Sequence, residues 1–545
     1  MASGDPSVNE IIAISDGLKA DRSHFDDHWE DVRRFGRPDN RSFVSEDMPG
    51  EKRRQTVLHS AMEDGWEMLA AALFGMQVNP AVPFVKIRAR RERLNNFRDA
   101  TLWLEDTARR VHLIFKHPRA KFQVAALKMY MDIVGYGTGD IEPKRRPGDI
   151  PFFSSRPLRQ IYVEEDAEGE INTVYRRFKL KARQAIDQWG SAAGPQVAKA
   201  AMEPKTQEKR FEFLHATFPR RKRDPDSRLT ANMPVASHWI NVEEKHQIRV
   251  SGFEEPPILV GRWMTDGEAY GRGRGMKALP DGKMLQRAMR SWIRGNEKVI
   301  DPPMMVADDA VISRIIRSGP KAINMVRREW MMGRGKPIQS IDTGARPDIG
   351  SDFIDRIVAQ IDQAFYKQLL SIVRDPRMTA TQFLETLEEA LRLFSPFLGN
   401  IQSEILEPMV LRLIAMGERQ GFLLARPEEL EGEELMMEFV SPLARAQQLV
   451  EARGVSQTAE IMAPWIAADP ELVDIQNTDE TYRGVARLLG QRESWLRSDE
   501  EVAARRQARR EAEAAAQNRQ AIVDLANAGG QAAPLLREAR EAANA

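Results

Sequence analysis

The strongest constraint on this chain is a change of period at Gly135-Tyr136-Gly137-Thr138-Gly139. Glycine costs a helix interior roughly 0.5–1 kcal/mol relative to alanine, so three at alternate positions end a helix. Before them the apolar residues keep helical spacing. Residues 6–35 are polar and helical in pattern. Residues 55–76 carry a stronger period through Val57, Met62, Trp66, Leu69 and Leu73. Asn79-Pro80 stops that helix, since a residue preceding proline avoids the α region. Residues 96–135 predict two helices broken near His117-Pro118.

Beyond the glycines the pattern turns to short β-like runs. Residues 159–163 and 171–176 flank Asp166-Ala167-Glu168-Gly169, a turn sequence, and predict a hairpin. Further strands are expected at Phe211–Phe218, His238–Val242, His246–Val250 and Ile258–Trp263, with a charged loop at 219–228. Helix then returns over 281–299, 351–372 and a long 379–421, with Pro- and Gly-rich 300–350 between the first two. Residues 500–520 predict an Ala/Arg/Glu helix, and the tail beyond Gly529-Gly530 is expected to fray. The expected class is α+β. At 545 residues the chain is long enough for more than one core.

Hydrophobic residues at 42% place the chain among globular proteins. Its 80 basic and 80 acidic side chains cancel, so contact with DNA would have to come from local clustering of charge. Without cysteine there is no disulfide, thiol nucleophile or cysteine-ligated cluster, which fits a reducing cytoplasm. The longest apolar candidate, Met68–Phe74, falls short of the ~20 residues of a membrane helix, and no secretory signal opens the chain. A soluble, cytosolic protein without membrane contact is expected.

Motifs of covalent chemistry do not emerge. GxxxxGK[ST], GxSxG and HExxH are absent; Gly333-Arg334-Gly335-Lys336 and Asp281-Gly282-Lys283 lack the upstream glycine of a P-loop. No catalytic, cofactor or metal residue is predicted. The glycines at 135–139 do not complete GxGxxG and suit a structural turn better than a phosphate cradle. His24 and His28 share a helix face, but without an evident third ligand an ordinary polar face is the better reading. Glu385, Glu388 and Glu389 lie along a long helix and suit a solvated or inter-subunit face.

The informative cluster is Lys283, Arg287, Arg290, Arg294 and Lys298. Steps of four, three, four and four put the five on one helical stripe. Leu285, Met289, Trp292 and Ile293 fall on another side. No acidic residue lies four positions from any of the five. Such a stripe is either a solvated face or a surface for a polyanion, holding phosphates without reading sequence. A second basic site, Arg374-Asp375-Pro376-Arg377, sits between two predicted helices, with Thr379 placed as an N-cap.

Several strings, in collinear order over about 135–450, resemble the head-to-tail connector (portal) family of short-tailed bacteriophages. They include Tyr136-Gly137-Thr138-Gly139, Pro157-Leu158, Val174-Tyr175-Arg176, Pro257-Ile258-Leu259-Val260-Gly261-Arg262-Trp263 and Gly267-Glu268-Ala269-Tyr270-Gly271-Arg272-Gly273. Ala278-Leu279-Pro280-Asp281, Asp301-Pro302-Pro303, Met378-Thr379-Ala380-Thr381 and Ser441-Pro442-Leu443-Ala444-Arg445-Ala446-Gln447 continue the series. The resemblance implies a homododecameric ring with wing, stem, clip and crown. It would make 1–280 the N-terminal wing region, 281–299 and 351–372 the stem helices, and 300–350 the clip. Residues 371–379 would be the channel loop, opening a 373–440 region that continues as a long wing helix; 441–545 would form the crown and tail. It implies that Lys283, Arg287, Arg290, Arg294, Lys298, Arg374 and Arg377 are DNA-channel candidates. Implied partners are terminase, tail or adaptor proteins, major capsid and scaffold proteins, and double-stranded DNA without sequence preference. The implied location is the capsid vertex of the virion, after assembly in the host cytoplasm. Another structural virion protein, such as a scaffold or tail component, or a metal-dependent nuclease, is the competing reading.

Overall fold

The computed structural model describes residues 4–542 apart from 47, 49, 80–81, 147–148, 225–228, 308–320, 327–337, 341–346, 373–391, 393, 441, 470–474, 476 and 490. The polar stretch at the start folds as two helices, α1 (Val8–Asp21) and α2 (Ser23–Gly36). Ser7 and Glu10 cap α1 reciprocally, each side chain accepting the other's backbone N–H at 3.4 and 2.7 Å. Helix α3 (Ala61–Gln77) buries Met62, Trp66, Leu69 and Leu73. It starts later than the periodicity predicts. The Gln286 carboxamide oxygen accepts Leu58 N–H at 2.6 Å and His59 N–H at 3.1 Å, which holds the preceding segment outside the helix.

Strand β1 (Val85–Ala89) precedes α4 (Arg98–Lys116) and α5 (Phe122–Tyr136). The break expected at His117-Pro118 is present as a short 3-10 turn, closed by Lys121 at φ 55°. Strands β2 (Thr138–Arg146) and β3 (Asp149–Ser154) come next. Then come β4 (Ile161–Glu165) and β5 (Ile171–Lys181), joined by the predicted hairpin turn. The Asp166 carboxylate accepts Glu168 N–H and Glu170 N–H there, and Gly169 takes φ +84°.

Two short helices that the periodicity did not predict, α6 (Ala182–Trp189) and α7 (Pro195–Met202), precede β6 (Arg210–Pro219), β7 (Val235–Asn241), β8 (His246–Phe253) and β9 (Leu259–Arg262). Strands β4 to β8 form an antiparallel meander in sequence order. Alternation puts its apolar residues on both faces. Tyr175, Leu214, Ala216, Phe218, Ala236 and Ile240 pack with Ile11 of α1. Phe178, Phe211 and Phe213 point the other way, against Ala182, Ala185 and Val197 of α6 and α7. The loop expected at 219–228 is only partly a solvated charge run. Arg220 is buried, paired with Asp5 at 3.0 Å and donating to Met233 O and Ser251 O.

A second sheet has the order β3-β2-β9. Helix α8 (Arg274–Ile300) leaves it. A small sheet of β10 (Met304–Ala307), β11 (Ile323–Val326) and β12 (Ile338–Ser340) comes after it, with β10 in the middle. The chain returns through α9 (Pro347–Ala364) and α10 (Lys367–Ile372). The single helix expected over 351–372 is therefore broken: Phe365 is fully buried and Tyr366 takes φ 55°. Of the long helix expected over 379–421, residues 379–391 lie outside the described residues. The helical residues from 394 run through a π turn (Gln402–Leu406) into α11 (Glu407–Gln420).

The chain forms two compact units. The larger comprises 1–86, 107–425 and 437–444 and holds both larger sheets and α8 to α11. The smaller comprises 87–106, 426–436 and 445–545. Strand β13 (Leu435–Phe439) precedes helix α12 (Pro442–Ala468). In the smaller unit, α13 (Thr478–Leu488) and α14 (Asp499–Ala542) are joined by Arg483–Asp499 at 2.7 Å and Arg506–Asp479 at 2.6 Å. Helix α14 continues through Gly529-Gly530, where fraying was expected. No helix among the described residues is long and apolar enough to cross a membrane.

Candidate nucleic-acid interface

Helix α8 carries the cationic stripe, and it begins seven residues before the predicted 281. Ala278-Leu279-Pro280-Asp281 looks like a helix start because proline suits the first turn. Here Gly275, Met276, Ala278 and Leu279 are buried and already helical, while Pro280 is exposed. Tertiary packing of the first two turns outweighs the hydrogen bond that Pro280 cannot donate.

The base of α8 is anchored among α2, α3 and α5. A Cβ on Gly275 would lie 2.7 Å from Gly135 O, and one on Gly282 would lie 2.7 Å from Met62 Sδ. Gln286 is buried and spans to the segment before α3 by donating to His59 O at 2.7 Å. Leu285 is fully buried; Met289, Trp292 and Ile293 are half-buried. The apolar and cationic sides thus separate as the spacing predicts.

The five cations divide. Lys283 is engaged: Asp31 of α2 accepts from its Nζ at 2.5 Å, and the ammonium lies 5.9 Å from the Phe35 ring. The spacing along α8 found no acidic neighbour for it; the fold supplies one from another helix. Arg287, Arg290 and Arg294 are exposed and Lys298 half-buried, and none of the four makes an ion pair among the described residues. Arg374 and Arg377, with Glu385, Glu388 and Glu389, lie outside the described residues.

The glycines at 135–139 are filled by the chain's own atoms. Gly137 caps α5 at φ +88°, and a Cβ there would lie 2.2 Å from Gly271 O. Its carbonyl accepts Trp263 N–H at 2.8 Å, and Thr138 Oγ1 accepts Gly271 N–H at 3.0 Å. A Cβ on Gly135 would fall within the Trp66 ring, 1.5 Å from Cζ2. Gly139 pairs with Gly261 across β2 and β9. The segment is a crossing of three chain stretches, with its backbone groups spent on one another rather than open to a phosphate.

Sequence reasoning missed the network around Arg262. This side chain is buried on β9 and donates to Glu404 from Nε at 2.9 Å and Nη2 at 2.5 Å, to the Glu165 carboxylate, and to Gly169 O at 2.9 Å. Its backbone N–H donates to Glu404 at 2.7 Å. Glu404 sits on the π turn, so that turn clamps the second sheet to the β4–β5 hairpin. The signal was present in the string Gly261-Arg262-Trp263, but its partner lies 142 positions away.

His24 and His28 have no metal-holding group of three or more ligating side chains around them among the described residues. Burial, with Arg272 and Lys283 nearby, lowers the His28 pKa, and Asp31 opposes the shift.

Some of the strings that carry the resemblance, those around Gly137, Gly261 and Gly271, meet at the glycine crossing. Residues 8–496 match the bacteriophage head to tail connecting protein family. A probable portal protein of Bordetella phage BPP-1 is 25% identical over 480 residues, covering 87% of this chain and 86% of that protein. A portal protein of Salmonella phage epsilon15 is 24% identical over 508 residues, covering 92% and 90%. With the match running from α1 to just short of α14, the chain belongs to the bacteriophage head to tail connecting protein family.

Proposed function

We propose that this chain is the phage portal: a ring of about twelve copies at one capsid vertex, through which DNA enters the head and later leaves it. The observation that carries this reading is the near end-to-end match to the connector family and to two phage portal proteins. The hairpin of α8 and α9 would be the stem, the β10–β12 segment the clip, and residues 441–545 the crown and tail. The clip would be the docking surface for the terminase during packaging and for tail or adaptor proteins afterwards. Capsid and scaffold proteins would surround the ring.

Such a ring performs no covalent chemistry; the terminase supplies the motor. Its channel must let the duplex slide, so contacts have to be weak, repeated and indifferent to sequence. A few cations per copy, screened over ~8 Å at physiological salt, meet that requirement. Arg374 and Arg377 are our first candidates for the bore, because the resemblance makes 371–379 the channel loop. Arg287, Arg290, Arg294 and Lys298 have charge available to an external polyanion, and the surface opposite them in the ring decides which one they meet.

A phage whose gene for this chain is disrupted should make heads that hold no genome, and supplying the chain in trans should restore filling. DNA-filled heads at normal yield without the protein would overturn the proposal.

A further inference from the structure

The α8–α9 hairpin carries opposite charges on its two outer faces, at matching heights. Its register is fixed at both ends. Near the open end, a Cβ on Gly350 of α9 would lie 2.6 Å from Trp292 Cδ1 of α8. Near the base, Gly282 abuts Met62 and Phe365 abuts Gly65, both on α3. The helices therefore run antiparallel. Counting outward from Trp292 and Gly350, Arg294 stands level with Asp348, Arg290 with Asp352 and Arg287 with Asp355. The steps of three and four are the same on both helices, and both rise about 1.5 Å per residue.

These six side chains cannot meet within one copy. On α9 the buried face is Ile354, Ile357 and Ile361, and the three aspartates lie roughly opposite it. On α8 the three arginines lie roughly opposite Leu285 and Trp292. All six are exposed, and among the described residues none makes an ion pair. One contrary charge stands beside each line, Glu297 on α8 and Arg356 on α9. Ile349 and Phe353 flank the acids, 58% and 49% exposed, which is apolar surface that a partner would cover.

A cyclic ring is built from two different patches that complement each other from copy to copy. Where the ring axis runs along the hairpin, rotation preserves height. The aspartates of one copy then arrive level with the arginines of the next. We propose that Arg287, Arg290 and Arg294 form the seam between neighbouring copies, facing Asp348, Asp352 and Asp355 of a second copy rather than DNA. This seam rests on the proposed ring.

The test uses three full-length variants: R287E/R290E/R294E, D348R/D352R/D355R, and the six changes combined. All six positions are exposed, so circular dichroism and melting should match the original chain. Each triple variant alone presents like charges across the seam, and rings should be lost in electron micrographs. An equal mixture of the two triples should recover rings in which they alternate, and the sixfold variant should recover rings by itself. Rings from either triple at the original yield would overturn the seam, and if DNA retention then failed, these arginines would belong to the bore. Failure of both the mixture and the sixfold variant to recover rings would overturn it too. Absence of rings from the unaltered chain would sink the ring reading itself, an outcome distinct from loss confined to the triples.

Discussion

At the scale of single residues, the larger unit is held by a few buried polar groups whose partners are distant in sequence. Arg262 is the clearest. Replacing it with Met would leave the partly buried Glu165 and Glu404 facing each other without their cation. Loss of one partner of a buried pair typically costs about 3–5 kcal/mol. With both carboxylates about a quarter exposed, about 3 kcal/mol is expected here, read as a lowered urea midpoint. Gly137→Ala combines a left-handed φ with a collision against Gly271 O, and should lower the melting midpoint more than Gly267→Ala, where φ is +71° but no atom lies within 4 Å. Two buried carboxyls give stability a pH dependence. Burial raises Asp140 to about 7, although it accepts Arg156 N–H, and raises Asp132 to about 6. Each binds its proton more tightly folded than unfolded, so its contribution worsens as pH climbs from the ordinary value of 3.8 to the raised one. Glu30 acts in a separate window. Burial raises it, but bonds from Arg33 and Phe43 N–H prevail and bring it to about 2, so its contribution is lost only as pH falls below 4.5. Asp140→Asn should flatten the fall in melting midpoint between pH 4.5 and 7; an unchanged slope would remove Asp140 as its source. The partners of Arg262 were not legible in the sequence, because hydrogen bonds across 97 and 142 positions leave no local period.

At the scale of elements, periodic structure was legible and structure imposed by distant packing was not. Helices α3, α4 and α5 and strands β5 to β9 fall close to their predicted places, since their apolar residues recur at helical spacing or as short β-like runs bounded by turn residues. The hairpin at 166–169 was legible from its turn chemistry together with the β-like runs that flank it. Helices α6 and α7 were missed, although Gly194-Pro195 is a helix-start signal; their cores are alanines, which carry little hydrophobic contrast. The start of α8 was misplaced because Pro280 outweighed Gly275, Met276 and Leu279 on a local view. The cationic stripe was legible as geometry, but its meaning was not. The spacing along α8 could not show that Asp31 engages Lys283, nor that α9 repeats the same steps in acid. For the predicted channel loop, Arg374→Ala or Arg377→Ala should impair packaging or DNA retention while rings still assemble. Normal packaging and retention in both would count against a loop that touches DNA.

At the scale of the whole molecule, a neutral chain can still serve a DNA channel if charge is sorted by face rather than by excess. Its 80 cations and 80 acids leave no net field to draw in DNA. A ring gathers one face of every copy around one axis, so a balanced chain can present like charge to a channel and opposite charge to its neighbours. The crossing of Gly137, Gly271 and Trp263 places α8 against α5 and so sets where the hairpin leaves the core. Both the channel and the seam depend on assembly into an open ring. Electron microscopy of the purified full-length chain tests that assembly without intermediary. Closed rings of about twelve copies around an open central channel are expected. Compact particles without a channel at every protein and salt concentration would contradict the portal reading.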